Sequence, residues 1–321
     1  MQNIFLAVLI LLLVTPLSCP VNAVNVPLEW ASISIGDRGM YDAAVQMQLS
    51  AVGVGVPLSG GPAVWASYYK DPMDKGLKVI LLLGSFVYVN RPWDADEIKP
   101  LMNWLRDNPE YKDATIAIEP VDEPYWTYGV DLDGDGCPGY SQNNLQQLYQ
   151  VVKTESGGVP VMYDLGDPVW WDEQNRTGSD TRCYQGTKGL DGIADILVKY
   201  VSNISNAGDS SYDQEKLRET IAENRRVLDA VGIKLSIMVS CWTRSSWKRS
   251  EQVTYNLVSD ILETGDVVGV KFYPYSQNCC GYTDYLKNHP EQFNAIAAAI
   301  DGYFYQPESG SSVDTDDEAD G

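Results

Sequence analysis

The sequence predicts a single (β/α)8 barrel of the TIM type, and three observations carry the prediction. Short β-rich apolar runs alternate with longer stretches of helical period along the chain, and the runs number eight. They occupy about 280 residues without a linker-like interruption, the size of one such barrel. No glycine-rich phosphate loop follows the first run, which argues against an open, doubly wound nucleotide fold.

In chain order the predicted strands are Trp30 to Ile35, Val52 to Val56, Leu77 to Leu83, Thr115 to Ile118, Pro160 to Tyr163, Ile196 to Val201, Lys234 to Val239 and Val267 to Phe272. Between them the apolar spacing changes to that of amphipathic helices. The stripes are Ile98, Leu101, Met102 and Leu105; Leu145, Leu148 and Val152; Leu217, Ile221 and Leu228; Val253, Leu257 and Ile261; Phe293, Ile296 and Ile300. These are core-facing stripes. The thinnest units are the first, whose helix (Tyr41 to Leu49) is short, and the fifth, where Asp164 to Asp191 reads as a long loop.

The chain ends fall outside this pattern. Ile4 to Leu17 is almost wholly apolar and is followed by Val21-Asn22-Ala23, so residues 1–23 read as a secretory signal peptide even though Met1 to Asn3 lacks a basic residue. An uncleaved anchor is the alternative, but the run is shorter than the roughly 20 residues a bilayer span needs. The barrel domain is then 24–307, and the Ser, Gly, Asp and Glu of 308–321 form an acidic tail too polar to bury a core. The expected location is secreted or extracytoplasmic.

The formal charge is -21, from 44 acids against 23 bases. A surface of that sign repels nucleic acid and anionic lipid and suits a neutral ligand or a cation. With Cys19 in the signal, five cysteines remain: Cys137, Cys183, Cys241, Cys279 and Cys280. No CxxC pair occurs and His289 is the only histidine, so a structural zinc site and a histidine-based triad are both disfavoured.

Barrels carry their chemistry on the loops after the carboxyl ends of the strands, and the unusual residues collect there. Glu119, Asp122, Glu123, Tyr125 and Trp126 follow strand 4; Asp164, Asp167, Trp170 and Trp171 follow strand 5; Cys241 and Trp242 follow strand 7; Tyr273, Tyr275, Cys279 and Cys280 follow strand 8. The stretch Ile116 to Trp126 contains Asp122-Glu123-Pro124. Here the chain resembles the retaining (β/α)8 glycoside hydrolases of clan A, whose fourth strand ends in Asn-Glu-Pro with the Glu as acid/base. The resemblance implies Glu123 as proton donor to a glycosidic oxygen, a role that needs a carboxyl group with a raised pKa.

That family places its nucleophile, a Glu, at the end of strand 7, and this chain has Ser240-Cys241-Trp242 there. A second carboxylate must come from Asp164 or Asp167, from Glu119, or from Asp37 after strand 1. Its separation from Glu123 decides between inverting and retaining chemistry. Trp126, Trp170, Trp171, Trp242, Tyr273 and Tyr275 would give sugar rings flat apolar platforms, though each ring alone is equally ordinary as loop packing. The resemblance therefore implies a secreted glycoside hydrolase. A non-catalytic carbohydrate-binding barrel and a structural surface protein remain the alternatives.

Asp131-Leu132-Asp133-Gly134-Asp135-Gly136 has the alternating carboxylates and turn glycines of a calcium loop. Gln142 stands at the twelfth position where an EF-hand has a bidentate Glu, so a structural Ca2+ of lower affinity is expected, with a solvated acidic turn as the alternative. For the cysteines, strand adjacency predicts a Cys137–Cys183 bridge and a bridge from Cys241 to Cys279 or Cys280, leaving one thiol free. A vicinal Cys279–Cys280 bridge is the less favoured pattern.

Overall fold

A computed structural model describes residues 28–34, 39–83, 88, 90–125, 130–166, 189–201, 204, 206–243, 246–274 and 284–304. The expected signal segment and acidic tail lie outside them. Eight parallel strands form the barrel: β1 (Trp30–Ile33), β2 (Ala51–Val56), β3 (Lys78–Leu83), β4 (Thr115–Glu119), β5 (Met162–Gly166), β6 (Ile196–Tyr200), β7 (Lys234–Ser240) and β8 (Gly269–Tyr273). Their order around the sheet is β4-β3-β2-β1-β8-β7-β6-β5. A parallel bridge between Ile118 and Val161 joins the two ends, with the Ile118 N–H donating to the Pro160 carbonyl at 2.8 Å. The predicted fold class is the observed one.

The helices among the described residues are α1 (Gly39–Gln46), α2 (Pro62–Asp74), α3 (Ala95–Asp107), α4 (Pro109–Ala114), α5 (Gln142–Glu155), α6 (Gln214–Asp229), α7 (Glu251–Glu263) and α8 (Glu291–Phe304). The connection 167–188 between β5 and β6 falls outside the described residues. Four helices start where a side chain accepts a free backbone N–H: Asp94 from Asp96, Ser141 from Asn144, Asp213 from Lys216 and Ser250 from Val253. The anticipated stripes of α3, α5, α6 and α8 are buried, as are Leu257 and Ile261 of α7.

The stripe pattern did not anticipate α2. Its buried residues are Trp65, Tyr69 and Pro72, set among Lys and Asp, so it lacks the aliphatic periodicity that reveals the others.

Strand residues alternate between two cores, because successive side chains point to opposite faces. Outward residues such as Leu81, Ile118, Tyr163, Leu197, Val239 and Val270 pack with the helices. A second, smaller cluster from Trp30, Ile80, Leu82, Ala117, Met162, Ile196, Val198 and Met238 fills the barrel interior. Gly269 is required there: a Cβ at that position would lie 2.2 Å from the Trp30 ring.

Four strand ends need correcting in the same direction. The apolar pattern stops β4 at Ile118, β5 at Tyr163, β7 at Val239 and β8 at Phe272, whereas the strands run on through Glu119, Asp164 to Gly166, Ser240 and Tyr273. Glu119, Asp164 and Tyr273 thus belong to strands, where the sequence placed them on following loops. A pattern based on hydrophobicity ends a strand at its first polar residue, and at a barrel mouth those polar residues are still hydrogen-bonded strand.

The cysteine prediction is also corrected. Cys241 is a buried free thiol, so the expected bridge to Cys279 or Cys280 is not made. Ser240 takes the inward position at the end of β7, and Cys241, next along the chain, faces the apolar layer under the helices. Burial pushes its thiol up to about 12. Cys137 is buried and disulfide-bonded; Cys183, Cys279 and Cys280 lie outside the described residues.

Candidate active site

The inward parity that builds the apolar interior also places the polar floor of the mouth. Glu119 lies two residues beyond Ala117 on β4, Asp164 two beyond Met162 on β5, Tyr200 two beyond Val198 on β6, and Lys271 two beyond Gly269 on β8. Lys271 Nζ donates to Asp164 Oδ2 at 2.6 Å and to Glu119 Oε2 at 3.0 Å. None of the three side chains is more than 2% exposed. An ammonium taken from water into a protein interior needs such partners, since burial without them costs several kcal/mol.

Burial by itself lowers the Lys271 pKa, but Asp164 and Glu119 overcome it and hold the ammonium above its ordinary range. Each carboxylate spends one oxygen on Lys271. The other oxygens, Glu119 Oε1 and Asp164 Oδ1, are buried and accept no hydrogen bond from a donor.

Asp122 and Glu123 lie above this floor and are partly exposed. Burial, then the charges of Asp164 and Glu123, push Asp122 up to about 8. Burial and Asp164 raise Glu123. Glu119 is raised by burial and Asp164, and Asp164 by burial against the pull of Lys271. The cause is common to all: four carboxyl groups converge on one ammonium, so the site keeps protons at a pH where free carboxylates have lost them. Tyr200 faces the same group, its phenol raised by burial and then by Asp122, Asp164 and Glu123.

The segment carrying Glu123 is held by local geometry. Its φ is 42°, in the left-handed region that costs a non-glycine residue about 1–2 kcal/mol. The Glu123 N–H donates to the Asp164 carbonyl at 3.1 Å. Just beyond, the Pro124 carbonyl accepts from Tyr140 N–H at 2.9 Å, and the Tyr125 hydroxyl donates to the Gly189 carbonyl. Gly139 allows the loop to close on this segment: its φ is 75°, and a Cβ would stand 2.4 Å from the Pro124 carbonyl oxygen.

The acidic loop ends at this contact. One oxygen from each of Asp131, Asp133 and Asp135 lies within 4.8 Å of the others. Asp131 accepts from the N–H groups of Gly134 (2.8 Å) and Gly136 (2.9 Å), Asp135 from Cys137 (2.8 Å) and Asp133 from Ser141 (2.7 Å). The donor set is all oxygen, and Asp133 Oδ1 is buried without a hydrogen-bond partner. These residues fit a hard cation such as Ca2+.

The structure therefore brings together Glu119, Asp122, Glu123 and Asp164, and sets Tyr273 at the mouth with Lys271 Nζ 5.7 Å from its ring centroid. Trp242 is half-buried beside the mouth, in a short antiparallel pair with Tyr285. Asp37, Trp126, Asp167, Trp170, Trp171 and Tyr275 lie outside the described residues. Sequence reading missed Lys271 and Tyr200. Lys271 did leave a signal: it is the only charge in the apolar run Val267 to Phe272. At the end of β7, Ser240 and Cys241 supply no carboxylate, as the sequence indicated.

No protein-family model matches the chain, and no curated protein matches its sequence. Its fold does match solved structures. A xylanase from Thermotoga petrophila, in complex with xylobiose, aligns with a TM-score of 0.53 at 10% identity, over 85% of this chain and 94% of that one. A family 5 xyloglucanase from Paenibacillus pabuli aligns with a TM-score of 0.52 at 11% identity, over 86% and 98%. A glucosidase from Croceicoccus marinus gives 0.52 at 12% identity, over 85% and 67%. The chain thus has the (β/α)8 barrel found in these glycoside hydrolases, and identities this low establish the fold alone.

Proposed function

We propose that this protein is an exported, glycan-active enzyme of glycoside hydrolase type in which Glu123 is the general acid. One observation carries the reading: a partly exposed carboxyl group at the mouth of a (β/α)8 barrel, kept protonated to higher pH by burial and by Asp164. Such a group can deliver a proton to a leaving glycosidic oxygen at a pH where a free carboxylate has already lost its proton. Glu119 and Asp164 are closed off beneath the mouth and bonded to Lys271, so their part is to set the charge around Asp122 and Glu123. Asp122 is the remaining carboxyl group of the cluster that is open to a substrate, and we assign it as the second carboxyl. Tyr273 and Trp242 suit the apolar faces of sugar rings.

The expected activity falls as pH rises through the raised pKa of Glu123, because the donor proton is then lost. The test is reducing-sugar release from a panel of polysaccharides. Glu123→Gln keeps the size and hydrogen bonding of the side chain but has no acidic proton, and it should abolish release with little change in stability. Near wild-type turnover in that variant removes Glu123 from the mechanism.

A second reading, a carbohydrate-binding barrel without catalysis, is favoured by Ser240 and Cys241 at the end of β7. Binding to the same panel in affinity electrophoresis, with no sugar release, would support it. We also propose a structural Ca2+ at Asp131, Asp133 and Asp135, bracing the Glu123 segment through Gly139. Ca2+ should raise the melting temperature by binding the folded state, and Asp133→Ala/Asp135→Ala should remove that rise.

A further inference from the structure

Among the described residues, a second set of oxygens also suits a cation, and it lies in the barrel mouth. One carboxylate oxygen from each of Glu119, Asp122 and Asp164 lies within 4.8 Å of the others. An ion about 2.0–2.6 Å from each of its ligands accommodates oxygens up to roughly that far apart. The second observation is independent of this clustering. Glu119 and Asp164 are 0% and 2% exposed, and each keeps one buried oxygen with no donor although its other oxygen is bonded to Lys271. A buried carboxylate oxygen left in that state is destabilising, so the floor is one ligand short.

We propose that Glu119, Asp122 and Asp164 form a binding site for a divalent cation, with Lys271 as a fixed neighbour. The charges balance. When its three carboxyl groups are ionised, the cluster with one ammonium carries a net charge of about -2, which a divalent ion neutralises by displacing the protons the site otherwise keeps. Lys271 does not block the site, since it occupies Glu119 Oε2 and Asp164 Oδ2 and leaves the two other oxygens open. An all-oxygen set without His or Cys selects a hard ion of the Mg2+, Mn2+ or Ca2+ kind. Asp122, at the open side of the cluster, is the ligand an entering ion meets first. The site does not use Glu123, but it shares Asp122 with the hydrolase reading, in which that residue is the second carboxyl. The rival arrangement is a proton shared by Glu119 and Asp164, whose carboxyl groups face one another.

The experiment is Mn2+ titration followed by electron paramagnetic resonance of the free ion. It uses the full chain carrying Asp133→Ala/Asp135→Ala, which removes the loop site, in about 0.15 M salt, which screens scattered surface acids. The expected result is one Mn2+ bound per chain at pH 7. Asp164→Asn and Asp122→Asn should each weaken it on the order of 10–100-fold or more, the scale already seen on losing a group that merely supports a ligand. Asp122→Asn leaves both bonds of Lys271 intact, so it gives the answer even if Asp164→Asn does not fold. No stoichiometric binding between pH 6 and 8 overturns the proposal in favour of the shared proton. Binding that is unchanged in Asp122→Asn overturns it too, by placing the ion elsewhere. Because the readout is binding, its failure is separate from a failure of the hydrolase reading.

Discussion

Replacing Lys271 with Met tests the central feature of the barrel mouth, because it removes the ammonium while keeping a flexible side chain of similar length. Two buried ion-pair contacts are lost, at 2.6 and 3.0 Å. Breaking a buried pair by removing one partner typically costs about 3–5 kcal/mol, most of it the penalty on the charges left behind. Here those charges can escape by protonation, which makes the cost depend on pH.

Lys271 pulls down the pKa values of Glu119 and Asp164, which burial raises. Without it both folded values rise further above the unfolded values of about 4. The folded variant then holds protons that the unfolded chain has released. Its stability is therefore intact below the unfolded pKa and is lost as pH rises towards the folded values, by about 1.4 kcal/mol per pH unit for each retained proton. The variant should be close to wild type near pH 4 and about 3–5 kcal/mol less stable near pH 8. Urea unfolding of both proteins across that range gives the difference directly. An equal loss at both ends, or no loss near pH 8, refutes the view that Lys271 stabilises the fold by balancing buried carboxylates.

Three further predictions follow from backbone geometry and burial. Glu123→Gly should raise stability by about 0.5–1 kcal/mol while removing activity, because glycine relieves the left-handed backbone at φ 42°; a drop in the unfolding midpoint would contradict this. Gly139→Ala should cost about 2–4 kcal/mol and weaken Ca2+-dependent stabilisation, since its Cβ must displace the Pro124 carbonyl; an unchanged melting curve would show that the loop does not brace this segment. Cys241 should react with a thiol reagent only after unfolding, its thiolate being suppressed by burial and its sulfur inaccessible; labelling of the native protein at Cys241, found by peptide mapping, would show that it is exposed.

The alternation of apolar strands with amphipathic stripes was sufficient for the barrel, because each βα unit is a local pattern and eight of them in about 280 residues leave little choice of architecture. Glu119, Glu123 and Asp164 were also legible as candidates, and Asp122 as a neighbour able to raise the Glu123 pKa, since acids at the ends of apolar runs stand out. Their roles were not. Whether a carboxyl group faces the mouth or is sealed beneath it depends on strand parity and on where β4 and β5 stop, and the polar residues that build the site are those at which an apolar pattern loses the strand. The partner of Glu119 and Asp164 lies 152 and 107 residues further along the chain. Only barrel closure carries Lys271 to them, and the same inward-outward alternation turns Cys241 away from the rim into the apolar layer beneath the helices. Sequence composition sets which groups are present, while the ring of strands decides which charges share one buried space and how many protons they must keep.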